Sequence, residues 1–430
     1  MSRRTLFRAH RGLLVLTGLV AFSAAHAQDV LIRGAQVHTE TERGTMERAD
    51  VLVRDGRIVA VGSGLAAGPG ASVVEANGRP LTPGLFGGIT ALGIEEVSAE
   101  PSTVDSSVSY GDGKPGPEFQ PRPEFDVSPA FNADSVAIGV NRVEGITYTM
   151  VAPTALPDGT MFAGQGSIAR LDGRADAFLP ASRTLFIDLG GNATEGSGKS
   201  RAAQFMLLDQ ATRESLPGRP LAAGDMRLLT PTGREVLARY LTGGRMAFDV
   251  DRAADIRQVL AYAARNGVHP VIVGGAQAWQ VAALLAKAQV PVVLNPLVDL
   301  PGDFDQLGAT MENAARLHRA GVKVAFTTGE TQNARKVRQA AGVAVAHGLP
   351  WDAALTGLTS APAEIFGVGA QLGRIAPGYA ADLVLWSGDP LEVTTAAEMV
   401  WIGGQAQSMR SRQTELRDRY RPKATAPTAN

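Results

Sequence analysis

Three carboxylates stand where apolar runs of this sequence stop. Asp188 follows Thr184-Leu185-Phe186-Ile187, Asp249 follows Met246-Ala247-Phe248, and Glu330 follows Ala325-Phe326-Thr327-Thr328-Gly329. Acids at strand mouths have two chemical uses. They hold a hard divalent cation such as Ca²⁺ or Mg²⁺ through oxygen ligands. Alternatively, a pair such as Asp249 and Glu330 divides the roles of general acid and general base. Ion pairing with Arg252 or Arg335 is the plainer use of the same side chains. Other catalytic chemistry is thinly supplied. The chain has no cysteine, so it has no thiolate nucleophile and no disulfide. It has no Gly-x-Ser-x-Gly turn to present a serine. Its six histidines are His10, His26, His38, His269, His318 and His347. Of these, His269 opens a strand pattern, the end remote from catalysis, and His318 and His347 fall in helical patterns.

The elements that must position these acids follow from pattern. Short apolar runs alternate with helical stretches, which predicts βα units and a parallel sheet. Strands are expected at 145–151, 184–189, 245–250, 270–274, 290–294 and 322–326. After the third of these, Ile256, Val259, Leu260 and Ala263 share one helix face, and Gly267 ends the helix. Strands of a different kind flank this region. Residues 30–37 form one, and 51–62 form a hairpin whose Asp55-Gly56 tip suits a tight type I′ turn. Residues 73–76 add a short strand, 373–390 read as strand, Pro-Gly turn, strand and turn, and 399–405 add a last strand and turn. Asp382 in that segment reads as a turn or strand-edge acid.

The run Pro83-Gly84-Leu85-Phe86-Gly87-Gly88-Ile89-Thr90-Ala91 reads as a buried strand entered through a Pro-Gly turn. It resembles the first barrel strand of the amidohydrolase superfamily, in particular its imidazolonepropionase-like members, where the pattern is Pro-Gly-Leu-Ile-Asp-x-His-x-His. Pro377-Gly378-Tyr379-Ala380-Ala381-Asp382-Leu383-Val384-Leu385 resembles the family's C-terminal signature. The resemblance covers nearly all of 30–405. It implies a TIM-like (β/α)8 barrel over 81–372, with a small β-sandwich domain built from 28–80 and 373–410. It also implies a divalent metal held by histidines on the first and middle strands, sometimes a carboxylated lysine, and an aspartate on the last strand. Such a metal lowers the pKa of a bound water and polarises the substrate carbonyl. Here the positions that would ligate it hold Ile89, Ala91, Gly274 and Gly329. Alternating strand residues face the same way, so Ile89 and Ala91 share a face and bring no donor to it. No cofactor is therefore expected. The alternative is a divalent metal held by Asp188, Asp249 and Glu330.

Two loops interrupt the rhythm. Residues 98–135 are rich in Ser, Pro, Gly and Asp and follow the first barrel strand, a position over the catalytic face. Residues 190–200 end in Gly198-Lys199-Ser200, but the first glycine of a phosphate-binding loop would fall on Ala193. This loop reads as a mobile βα connection.

The ends of the chain bear on location. Arg3, Arg4, Arg8 and Arg11 precede an apolar run from Leu13 to Ala25, and Ala25-His26-Ala27 follows. That is the pattern of a signal peptide cut after Ala27, so a periplasmic or secreted protein is expected, with no membrane attachment after cleavage. Losing those four arginines moves the formal charge from −1 to −5. Mild acidity argues against a nucleic-acid partner. Residues 411–430 read as a solvated helix end and tail.

The expected function is that of an exported, amidohydrolase-like protein without the metal site. It would be a non-catalytic subunit or binding protein, partnered by a metal-bearing relative or by its own copies. The alternative is a hydrolase of carbon–nitrogen bonds, in non-peptide or dipeptide-like amides, working through the carboxylates.

Overall fold

The computed structural model describes residues 29–108, 120–156, 159–191, 193–216 and 227–421. The signal-peptide pattern, the centre of the long loop at 109–119 and the tail beyond 421 lie outside them.

Strands from both ends of the chain build one sheet. The N-terminal contribution is β1 (Val30–His38), β2 (Thr45–Arg54), β3 (Arg57–Gly62), β4 (Ser72–Glu75) and β5 (Pro80–Pro83). The expected hairpin is β2–β3, with Asp55 and Gly56 both at positive φ in its turn. After Pro83 the chain enters the barrel without a linker. Gly84 is required at this junction, because a Cβ there would overlap the Thr147 side chain.

The barrel strands are β6 (Leu85–Thr90), β7 (Ile146–Val151), β8 (Phe162–Arg170), β9 (Thr184–Asp188), β10 (Arg245–Val250), β11 (His269–Gly274), β12 (Val292–Leu294) and β13 (Val324–Phe326). They form one eight-stranded sheet in sequential order. The two edge strands meet through a side chain. Thr327 Oγ1, just past β13, accepts from the Ile89 backbone N–H at 3.0 Å. The barrel is thus nearly closed, as the resemblance implies.

One strand departs from the all-parallel pattern. β8 runs antiparallel to both β7 and β9. Among the described residues no crossover helix separates β7 from β8, and the short connection returns the chain antiparallel. The segment Phe162-Ala163-Gly164-Gln165-Gly166 is broken by glycine and glutamine, which hides its strand character from hydrophobic periodicity.

The alternation of β9 and β10 sets the direction of the acids. Phe186 and Ala247 belong to the cluster inside the barrel with Phe86, Met150 and Val293. Ile187 and Phe248 belong to the outer layer, packed with Ile256, Val259 and Tyr262 of the helix Ala253–Asn266. Side chains two residues apart share a face, so Asp188 and Asp249 point inward. That helix ends at Gly267 in the left-handed conformation, where the sequence places its stop.

After the barrel, β14 (Leu383–Trp386), β15 (Ala397–Ile402) and β16 (Gln405–Ala406) complete the terminal sheet, and β14 pairs antiparallel with β5. The hairpin tip returns to the segment before β14: Ala381 N–H donates to Gly56 C=O at 2.9 Å, and Ile58 N–H to Tyr379 C=O at 2.9 Å. The sheet thereby curls around its own core of Ile32, Val51, Leu81, Leu383 and Trp401. Asp382 is structural. It accepts from the Arg170 guanidinium and, at 2.7 Å, from the Gly403 amide, which locks the sheet to β8.

Candidate functional site

The C-terminal ends of the barrel strands surround a cavity of ≈ 530 Å³. This is the face where barrel loops assemble binding and catalytic sites. All four positions that the resemblance assigns to metal ligands line it: Ile89, Ala91, Gly274 and Gly329. So do Asp188 and Asp249. Glu330 does not. It is exposed outside the cavity and pairs with Lys336 at 3.8 Å. The acid that takes its place is Asp251, two residues beyond Asp249 on the same inward-facing row. Periodicity run past the end of β10 flags it; attention to strand ends alone does not.

The three aspartates differ in support. Asp251 is anchored. Its Oδ1 accepts from Ala276 N–H at 2.9 Å, and its Oδ2 accepts from Gln306 Nε2 at 2.7 Å. The Asp188 and Asp249 carboxylates accept no hydrogen bond among the described residues. The expected alternatives, Arg252 and Arg335, lie elsewhere. Arg252 pairs with Asp255 at 2.7 Å, and Arg335 donates to Gln332 C=O.

Electrostatics follow from this isolation. Burial first, then the Asp251 charge, pushes the Asp188 carboxyl from the ordinary 3.8 up to about 6. Asp249 is exposed to the cavity, and the wall around it, then Asp188 and Asp251, raises its carboxyl above the usual range. Asp251 is also raised, chiefly by burial, although Gln306 and the Ala276 amide pull it back. Carboxyls without a neighbouring cation favour the neutral form in such surroundings.

The lining does not fit the metal of the resemblance. Isoleucine, alanine and two glycines bring no donor where ligands are needed. Among the described residues, no group of three or more His, Cys, Asp or Glu side chains is placed to hold an ion. The backbone has closed over one ligand position. A Cβ on Gly274 would stand 2.8 Å from Asp251 Oδ1 and 3.1 Å from Asp249 Oδ1, and Gly274 itself has φ +77°. The described histidines line other parts of the molecule. His38 is buried in the terminal sheet, with Nδ1 2.9 Å from Thr45 Oγ1, while His269, His318 and His347 are exposed.

The two loops take different parts. The described flanks of the 98–135 segment dock on the strand that sequence reasoning missed: Gln165 N–H donates to Phe125 C=O at 2.7 Å. In the glycine-rich loop, Gly191 N–H donates to Asp305 Oδ2 at 2.6 Å and Gly190 N–H to Gln204 Oε1 at 3.2 Å. Protein acceptors thus occupy amides that a phosphate would need.

Comparison with known proteins agrees with this architecture. Residues 232–407 match the model of the amidohydrolase family. The solved amidohydrolase from Thermotoga maritima MSB8 superposes with a TM-score of 0.77 at 26% identity, covering 89% of this chain and 100% of that one. Amidohydrolase tasK of Hapsidospora irregularis is 47% identical over 75 residues, and the adenine deaminase of Paracoccus denitrificans is 45% identical over 74. These stretches are 17% and 16% of this chain, and they span only 8% and 12% of those curated relatives. Residues 232–407 thus resemble the amidohydrolase family, and over most of its length the chain shares the fold of a solved amidohydrolase.

Proposed function

We propose that this is an exported amidohydrolase-fold protein that works without the family's divalent metal, as a binding protein or as a non-catalytic subunit beside a metal-bearing relative. One observation carries the reading: Ile89, Ala91, Gly274 and Gly329 stand together on the cavity wall at the positions of the expected ligands. A carbonyl-polarising ion needs several N or O donors at once, and no single substitution restores them. Export rests on the basic, apolar and small-residue order of the N-terminus. The test is elemental analysis of the purified protein, joined to an amide-hydrolysis screen with added Zn²⁺ and Mn²⁺. Neither bound metal nor turnover is expected. Stoichiometric metal with turnover overturns the proposal.

A second reading has its own observation. Asp188 and Asp249 are unsupported by donors and unequal in surroundings, and such a pair divides acid and base roles in hydrolases. On that reading the protein hydrolyses carbon–nitrogen bonds in non-peptide or dipeptide-like amides, the reaction class suggested by the names of its relatives. Turnover that survives exhaustive chelation and disappears in Asp249→Asn would establish it in place of the first.

A further inference from the structure

We propose that the barrel-mouth cavity binds an organic cation with an apolar body, a protonated alkyl- or arylalkylamine, whose ammonium group sits between Asp188 and Asp249. The proposal rests on the reading above that no metal engages these carboxylates.

The cavity wall is one-signed. It includes four carboxyl side chains, Glu95, Asp188, Asp249 and Asp251, and no lysine, arginine or histidine among the described residues. Within that set, Asp251 already has its donors from Ala276 and Gln306. The Asp188 and Asp249 carboxylates have none among the described residues, although both line the cavity. Two carboxylates side by side on a cavity wall, with no protein donor to either, leave a place for donors from outside. A ligand that completes them must bring N–H groups and positive charge together. An anion is repelled by the same wall. An inorganic cation lacks the convergent oxygen set it needs.

The rest of the lining fixes the other end of the ligand. Ile89, Ala91, Ala163, Phe186, Val273 and Val298 present hydrocarbon. The positions that would face a metal and its water therefore form an apolar wall beside the acids. A volume of ≈ 530 Å³ lies in the range of small-molecule sites. Charge at one end and hydrocarbon around the other describe a primary ammonium on an alkyl or aryl body.

Thermal unfolding of the full chain after EDTA treatment tests this. Benzylammonium chloride is compared with benzyl alcohol and sodium benzoate at matched ionic strength and pH 7.5. Benzylammonium should raise the midpoint by about 2 °C at ten times its dissociation constant, and the alcohol and benzoate should leave it in place. Asp188→Asn and Asp249→Asn, each nearly isosteric, should weaken benzylammonium by roughly tenfold or more. Glu330→Gln, outside the cavity, should leave the response intact. Equal shifts from benzyl alcohol and benzylammonium overturn the proposal, as does an undiminished response in both folded Asn variants. The metal and turnover assays are separate readouts. A metal-free, inert protein blind to benzylammonium sinks the cation site alone. A metalloenzyme that still responds to benzylammonium sinks the functional reading alone.

Discussion

Asp188 and Asp249 are register partners on adjacent parallel strands, both facing into the barrel. Neighbouring strands lie about 4.8 Å apart, so the two carboxyls share one small volume. No donor divides it between them, and the Asp188 charge resists the ionisation of Asp249.

Stability should therefore fall as pH rises through the weakly acidic range. A carboxyl raised in the folded state stabilises the fold fully below its unfolded pKa and loses that contribution as pH climbs through the folded value. For Asp188 the window runs from the ordinary 3.8 to about 6, and Asp249 extends it upward. Urea unfolding at stepped pH should show a loss on the order of 2–3 kcal/mol between about pH 4 and 7. The double variant Asp188→Asn/Asp249→Asn should flatten that slope. An unchanged slope in the double variant would place its origin elsewhere.

Gly274 marks how firmly the ligand position has been closed. Its φ of +77° and the two carboxylate oxygens near its absent Cβ oppose any side chain. Gly274→Ala should destabilise by about 1–3 kcal/mol in urea unfolding. Ile89→His/Ala91→His, where a side chain already lines the cavity, should fold with a smaller loss. If Gly274→Ala is neutral, the loop relaxes freely, and a histidine there becomes a feasible reversion.

The sequence exposes this architecture where residues keep a simple period. Inward and outward alternation in β9 and β10 locates Asp188 and Asp249, and the Pro-Gly and Asp-Gly turns locate the terminal sheet. It hides β8, because glycines at 164 and 166 interrupt the apolar run. Glu330 illustrates the other limit. After β13 the chain turns at Gly329, φ +70°, which swings the acid out to Lys336. Proximity to a strand end does not fix the direction of a loop side chain. Asp251 was legible in principle, since it extends an inward row by one more step, but its anchoring by Gln306 is a long-range contact.

Asp382 should behave as a strut. It is 4% exposed and holds both the Arg170 guanidinium and the Gly403 amide. Asp382→Asn leaves Arg170 without its counter-charge, so a loss of about 3–5 kcal/mol is expected in denaturant unfolding. The benzylammonium response of the folded fraction should stay as it was, because this pair ties the terminal sheet to β8 and does not line the cavity. A selective loss of ligand response without loss of stability would contradict that assignment.

A cation built into the chain should imitate the ligand. Val273 is the register partner of Asp249 on β11 and lines the same cavity, so a lysine there places its ammonium beside the unsupported acids. Val273→Lys should abolish the benzylammonium shift. It should also draw the folded-state pKa of Asp188 and Asp249 down, which removes the loss of stability between about pH 4 and 7 or reverses its sign. Val273→Met occupies similar length without charge and separates crowding from electrostatics. It should narrow the cavity yet keep the acid-side slope of the parent protein. If Val273→Lys and Val273→Met share one pH profile, the ammonium is not reaching the carboxyls, and the pairing of Asp188 with Asp249 is not what governs the cavity.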